Sequence, residues 1–253
     1  LIYGLGAARR AGAQISAKAV QQGLHDYLSG LTRLGRDGLI FPAFNYSFGR
    51  SRVFDVAADP VEVGALPEWI RQTGQYYRST VPFFSALSGQ DLQLPSRTAI
   101  NPFDAGSVFQ WLVDNDATIL LLGAPLDRLT ILHYVEEIAD KPLYRYDKKF
   151  SGEIVNNGAR QQVEVCMHVR PAGMAIEYDW HRLADELSQQ HILQQAPDNP
   201  HQMWLSAGQL VEFWVQKLKE DPFYFLTADC AEIYMQETKG GHNRLILEDY
   251  EHA

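Results

Sequence analysis

His133 and Glu136 stand one helical turn apart, followed closely by Glu137 and Asp140. Around them Ile131, Val135 and Ile138 recur at helical spacing, with Leu132 and Ala139 beside them, so the titratable residues fall on the opposite arc. A histidine with a carboxylate one turn on can act as an oriented general base, because the carboxylate fixes which ring nitrogen carries the proton. The same arc fits the solvated face of an amphipathic helix. Periodicity leaves both readings open.

The elements that must position this pair are legible on either side. Ile119-Leu120-Leu121-Leu122 is a strand-sized apolar run that reads as buried; it ends at Gly123, and Pro125 and Asp127 supply turn chemistry. Upstream, Ser107 reads as the cap of a helix through Val113, and Ser16 as the cap of one carrying Val20, Leu24, Tyr27, Leu28 and Leu31. Asp37-Gly38 turns into a short central strand, Leu39-Ile40-Phe41, stopped by Pro42. The loop that follows, with Asn45 and Tyr46, leaves the carboxyl end of a strand, a common binding position. Pro60 to Ile70 reads as a turn into a helix with Pro67 at its first position, and Arg78 to Gly89 as a strand that Pro82 confines to an edge or bulge. Downstream, Asn157-Gly158 predicts a hairpin between Phe150–Val155 and Gln162–Val169. Alternation along its second arm puts His168 on the polar face, as a surface histidine. Asp179 and Ser206 read as caps of helices reaching about Ser188 and Lys219, with 189–199 as a loop between them and a loosely ordered polar tail from Lys239.

Composition narrows the function classes. A formal charge of −9 without a Lys/Arg cluster argues against nucleic acid as the main partner. The two cysteines, Cys166 and Cys230, have no metal-site or disulfide-framework spacing, which fits a cytoplasmic protein. No apolar run is long enough to span a bilayer, and the opening residues lack the pattern of a signal peptide. Gly4, Gly6 and Gly12 imitate a dinucleotide fingerprint, but Arg9 stands where its third glycine is required, so the segment reads as a loop.

Several spaced segments together resemble the aminoglycoside 3-N-acetyltransferase family, also called antibiotic N-acetyltransferases. They are Asp37-Gly38-Leu39-Ile40-Phe41-Pro42-Ala43-Phe44, Gly64-Ala65-Leu66-Pro67-Glu68, Arg78-Ser79 with Pro82 and Ser85, Pro102-Phe103 with Gly106-Ser107, Leu120-Leu121-Leu122-Gly123, and Thr130-Ile131-Leu132-His133-Tyr134-Val135-Glu136. The last is similar to the family's T-x-L-H-x-x-E. The resemblance implies an α/β fold, a layered α/β/α sandwich around a mixed central sheet with a β-hairpin and C-terminal helices. It implies a single domain over 1–253, allowing for a missing amino-terminal strand, with 178–253 mainly helical. It also implies transfer of an acetyl group from acetyl-CoA to an amine, without a metal, with His133 as base and Glu136 as its partner.

Departures from the family bear on the acceptor. Where aminoglycoside-modifying members carry R-S-x-H-P-x-H-S, this chain has Val81 and Phe84 at the histidine positions, and Asn45-Tyr46 where members have a Trp-bearing loop. Asn45-Tyr46, Tyr144-Arg145 and Phe150-x-Gly152 resemble a biosynthetic branch, which implies an amino sugar or a sugar nucleotide as acceptor. An acyl carrier protein presents the same pantetheine arm as CoA and stands as an alternative donor. Asn45, Tyr46, Arg78, Ser79, Ser85 and Arg145 are the expected substrate or cofactor contacts, with Lys148 beside them as a cation for phosphate. Ser85 could supply an oxyanion donor, although its hydroxyl could equally satisfy an irregular strand. Two other readings are a member that lost catalysis and serves as a binding or scaffolding protein, and a thioester or ester hydrolase with Ser85 as nucleophile; no GxSxG elbow surrounds Ser85.

Overall fold

The computed structural model describes residues 16–95, 97–140 and 142–250. The glycines of the opening segment lie outside these. The described residues divide into two compact units, one within Leu1–Pro102 and Lys149–Cys166, the other within Phe103–Lys148 and Met167–Ala253. The architecture is mixed α/β, as expected, with its strands in three sheets.

In the first unit, helix α1 (Ala17–Leu31) starts where Ser16 accepts a hydrogen bond from the Ala19 N–H at 3.1 Å. Of its apolar residues only Leu28 is buried. Strand β1 (Ile40–Pro42) is followed by helix α2 (Phe48–Ser51), strand β2 (Val53–Asp55) and helix α3 (Ala65–Thr73). The run from Arg78 to Gly89 is not one edge strand. It breaks at Pro82 into β3 (Tyr77–Arg78) and β4 (Ala86–Ser88), because Pro82 has no N–H for a ladder and Phe83 turns through φ 67°. Strand β4 lies in the middle of the antiparallel order β1-β4-β3, so β1 is an edge strand where the sequence suggested a central one. Phe48 meets Phe83 and Phe83 meets Phe150 edge-on at centroid distances of 5.4 and 5.0 Å. Burial of such rings contributes about 1.5–3 kcal/mol each.

The predicted hairpin is present as β7 (Tyr146–Asn156) and β8 (Ala159–Val169), with Asn157 at φ 48° and Gly158 at φ 80°. Positive φ at both turn positions matches the right-handed twist of the flanking strands. Parallel pairing of β2 with β7, and of β5 (Ala99–Ile100) with β8, completes a mixed sheet ordered β2-β7-β8-β5. Gly152 is required there: a Cβ would lie 2.3 Å from the Arg52 carbonyl oxygen and 2.8 Å from the Phe48 ring.

The second unit begins with α4 (Val108–Asp114), whose cap Ser107 accepts from the Gln110 N–H at 3.2 Å. Strand β6 (Thr118–Leu122) then leads to α5 (Ile131–Ile138), the helix that carries His133. After β8 come α6 (Trp180–Gln189), β9 (Gln194–Ala196), β10 (Asn199–Ser206), α7 (Ala207–Glu220) and α8 (Ala228–Glu237). The predicted caps Asp179 and Ser206 hold, accepting from the Arg182 and Gln209 N–H groups.

Three expectations change here. The segment 189–199, read as loop, contains β9 and the start of β10; its Gln- and Asn-rich composition hid strands whose order in the sheet is β6-β10-β9. Strand β6 is an edge of that sheet and only Leu121 in it is buried. The tail is anchored: Leu245 is buried, Tyr250 stacks on Tyr146 at 5.8 Å, and Arg244 makes paired hydrogen bonds to Asp147 at 2.9 and 3.0 Å. Two apolar anchors within a polar stretch are enough to dock it, although they set no period.

Candidate active site

Helix α5 is buried on both faces. Ile131, Leu132, Tyr134 and Val135 are core residues, α4 and α7 pack against the helix, and Ile138 is its exposed apolar residue. Glu136 lies on the arc that periodicity marks as polar, yet its side chain is 0% exposed. The arc is therefore an interior polar surface, since later segments of the chain cover it with hydrogen-bonding groups.

Those groups satisfy the carboxylate from both sides. At one oxygen, Oε1, the Tyr144 and Tyr178 hydroxyls donate at 2.8 and 2.9 Å. At Oε2, His133 Nδ1 lies at 2.8 Å and His168 Nε2 at 3.2 Å, and Arg145 Nε adds an ion pair at 3.2 Å without hydrogen-bond geometry. Arg145 also donates from Nη2 to the Tyr178 hydroxyl at 2.6 Å. Tyr144 and Arg145 come from the turn into β7, His168 from the end of β8, and Tyr178 from the segment before α6. That last segment is tied down by a bridge from Tyr178 to Leu226. The ring of Phe103 lies 5.5 Å from that of His133 and 5.3 Å from that of His168.

The electrostatics follow from this packing. Burial raises the Glu136 pKa, but Arg145 and the hydrogen bonds from His133 and His168 outweigh it and hold the carboxyl well below its ordinary range. Burial lowers the pKa of Arg145, but Glu136 more than compensates, so the guanidinium stays charged. Burial, reinforced by Glu136, raises Tyr144 and Tyr178, which remain phenol donors. The pKa of His133 is lowered: burial, helped by Arg145 and His168, outweighs the pull of Glu136.

An ionised Glu136 can only accept, so Nδ1 of His133 carries the proton and Nε2 presents its lone pair. Nε2 has no hydrogen-bond partner among the described residues. The His133 side chain is 28% exposed and lines a recess of about 200 Å³ with Asp127, Leu129, Thr130, Leu132, Tyr178 and Trp180. A neutral imidazole, oriented by a buried carboxylate and open on its other side, can take a proton from a nucleophile.

His133, Glu136 and His168 also bring one nitrogen or oxygen each within 4.8 Å of one another, a spacing compatible with a metal ion. The donor set does not suit one. A cation there would displace both histidine hydrogen bonds and would meet the buried Arg145 charge beside the same carboxylate oxygen.

A model of the aminoglycoside 3-N-acetyltransferase family matches residues 40–219, which include every residue of this cluster. The chain belongs to the aminoglycoside 3-N-acetyltransferase family. The enzymes of this family are N-acetyltransferases that take acetyl-CoA as donor. Aminoglycoside N(3)-acetyltransferase VII of Streptomyces paromomycinus is 39% identical over 89 residues, 33% of this chain. The match spans 30% of that relative's length. Among solved structures, the aminoglycoside acetyltransferase AAC(3)-IVa apoenzyme has a TM-score of 0.58 at 22% identity, covering 83% of this chain and 82% of its own. AAC-IIIb with CoASH has a TM-score of 0.57 at 20% identity, over 76% of this chain and 75% of its own. Sisomicin-bound AAC-VIa has a TM-score of 0.60 at 21% identity, over 81% of this chain and 89% of its own. These likenesses are of fold.

The other residues that the family resemblance nominated lie in the first unit, Arg145 and Lys148 excepted. Arg78 is not free to bind a phosphate. Its guanidinium donates to Ser85 Oγ and to the carbonyls of Ala43, Val56 and Asp59, and it lies over the Phe54 ring at 5.0 Å. It braces the loops around β1 and β2. The Ser85 hydroxyl is buried and donates to the Ala43 carbonyl at 2.6 Å, so it is neither a poised nucleophile nor a free oxyanion donor. Asn45 is buried and holds its loop, donating to the Pro60 carbonyl at 2.8 Å and accepting from the Ser47 N–H at 3.0 Å. Tyr46 is exposed, with its N–H donating to Glu62 at 2.9 Å. Ser79 accepts from the Ala86 N–H at 2.9 Å; with Arg78, Tyr77, Thr80, Asp91 and Asn156 it lines a second recess of about 330 Å³. Arg145, expected to meet substrate or cofactor, is instead 9% exposed and engaged with Glu136 and Tyr178.

The pattern of the sequence missed His168, Glu137 and Tyr178. His168 has the predicted parity on β8 but is 1% exposed and lies against α5, and Glu137, on the arc that also fits a solvated face, bonds to it. Strand alternation identifies which residues share a face and is blind to what covers that face.

Proposed function

We propose that this chain transfers an acetyl group from acetyl-CoA to an amine of an amino sugar or a related small molecule, with His133 as general base and Glu136 as its orienting carboxylate. The observation that carries this reading is the 2.8 Å contact from His133 Nδ1 to a buried Glu136, with Nε2 facing outward on a recess. Before its nitrogen attacks the thioester carbonyl, an ammonium acceptor must lose a proton. His133 Nε2 takes that proton and the freed amine attacks, forming the C–N bond; as the tetrahedral adduct collapses the C–S bond breaks, a second N–H proton passes to the departing thiolate, and His133 returns its own proton to solvent. Glu136 stabilises the imidazolium as it forms. Family membership supports the donor, and CoASH and sisomicin in structures of similar fold support a thioester donor and an aminated acceptor. Asp127 at the recess would favour a cationic acceptor. The proposal treats 1–253 as one family domain. It places the protein in the cytoplasm, in keeping with Cys166 and Cys230 forming no disulfide among the described residues; no helix of the described residues is long and apolar enough to cross a membrane.

Thiol release from acetyl-CoA, measured against a panel of amino sugars, aminoglycosides, sugar nucleotides and diamines, tests the reading. Acetylation of at least one amine, confirmed by product mass, is expected. Binding of acetyl-CoA without turnover on any amine would favour the binding-protein alternative that Val81 and Phe84 raise.

A further inference from the structure

Resting on the proposed base, we infer that Glu137 and His168 form a positioning pair that sets how strongly Glu136 pulls on His133. The arrangement around His133 is repeated one step deeper. His168 Nδ1 meets Glu137 Oε2 at 2.9 Å, just as His133 Nδ1 meets Glu136, and His168 Nε2 is directed to Glu136 Oε2 at 3.2 Å. The result is one line of groups, Glu137, His168, Glu136 and His133, ending at the outward nitrogen of His133.

Two features argue against an incidental core histidine. Glu137 and Glu136 are consecutive carboxylates with 9% and 0% of their side chains exposed, an arrangement that costs desolvation and repulsion unless a donor stands between them. His168 is that donor, wedged 1% exposed beside the Phe103 ring. Second, both of its nitrogens face carboxylate oxygens. Both contacts are hydrogen bonds only when the pair holds one proton more than a neutral ring between two carboxylates provides. A donor at Nε2 shares the Glu136 charge and leaves less of it on the His133 proton. His133, Arg145, Tyr144 and Tyr178 are the other titratable groups around Glu136.

The test uses the whole chain with His168→Gln, His168→Leu and Glu137→Gln. Histidine NMR in the absence of substrate, with the His133 signal assigned by its loss in His133→Ala, reads the coupling directly. Replacing His168 should move the His133 titration to higher pH by about one unit, because Glu136 then acts on it undivided. In acetyl transfer the acid limb should move up with it, so that below its midpoint kcat falls about tenfold in His168→Leu with KM unchanged, and His168→Gln, whose amide still donates to Glu136, should lose less. Glu137→Gln should move the His133 titration in the same direction. An unmoved titration in all three variants, in folded protein, would overturn the inference. So would an acid limb of kcat at the same pH in wild type and His168→Leu. If the wild type acetylates no amine, the functional reading falls while the NMR arm still decides the coupling.

Discussion

Replacing His133 by alanine is expected to lower kcat for acetyl transfer by about a hundred- to ten-thousandfold, the range that positioned acid–base groups contribute. KM for the amine should change far less, because His133 acts on the proton that moves in the transition state. The fold should survive the change. His133 is the partly exposed member of the cluster, and without it Glu136 keeps Tyr144, Tyr178, His168 and Arg145. Circular dichroism and a melting curve beside the kinetics would separate lost chemistry from lost structure. Turnover within twofold of wild type would remove His133 from the mechanism.

Replacing Glu136 by alanine should do something different: destabilise the protein as well as inactivate it. The substitution leaves the buried Arg145 guanidinium without its counter-charge and two phenols without their acceptor. Removing one partner of a buried ion pair costs about 3–5 kcal/mol. Denaturant or thermal unfolding of Glu136→Ala should show a loss of that order, and Glu136→Gln a smaller one, since an amide can still accept from one side. Adding Arg145→Met to Glu136→Ala should return part of the stability without returning activity, and a double-mutant cycle measures the coupling. Stability close to wild type in Glu136→Ala would mean that the carboxylate is less buried or less paired than its contacts imply.

The two members of the pair also fix the sign of the pH response. Glu136 is held below its ordinary carboxyl value, so its contribution is present above that value and is lost as pH falls through the depressed one. His133 is lowered from the ordinary 6.5, so the unfolded chain takes up its proton first and stability falls as pH drops below 6.5. Both effects weaken the fold on the acid side.

How much of this was legible depends on whether a pattern or a covering surface decides the matter. The hairpin at Asn157-Gly158 and the caps Ser16, Ser107, Asp179 and Ser206 were readable, because φ > 0 and orphan N–H groups are local demands. The strands β9 and β10 were not, since Gln, Asn and His supply neither alternation nor β-branching. At the site, helical spacing put His133 and Glu136 on one arc but could not say whether water or protein covers it. Arg145, Tyr178 and His168 decide that, and they arrive from other segments up to 42 residues away. The same limit explains Arg78 and Ser85. Their types suited phosphate or oxyanion binding, while in the fold their hydrogen bonds run to the carbonyls of nearby loops and to each other.

The central claim is that a neutral His133, held by Glu136, takes the acceptor's proton. It is tested most directly by kcat/KM for acetyl transfer measured from about pH 5 to 8 in wild type and His133→Ala. The wild type should lose activity tenfold per pH unit on an acid limb whose midpoint lies below the ordinary histidine value of 6.5, and the residual activity of His133→Ala should lack that limb. A wild-type profile flat across this range, or the same limb persisting in His133→Ala, would contradict the account.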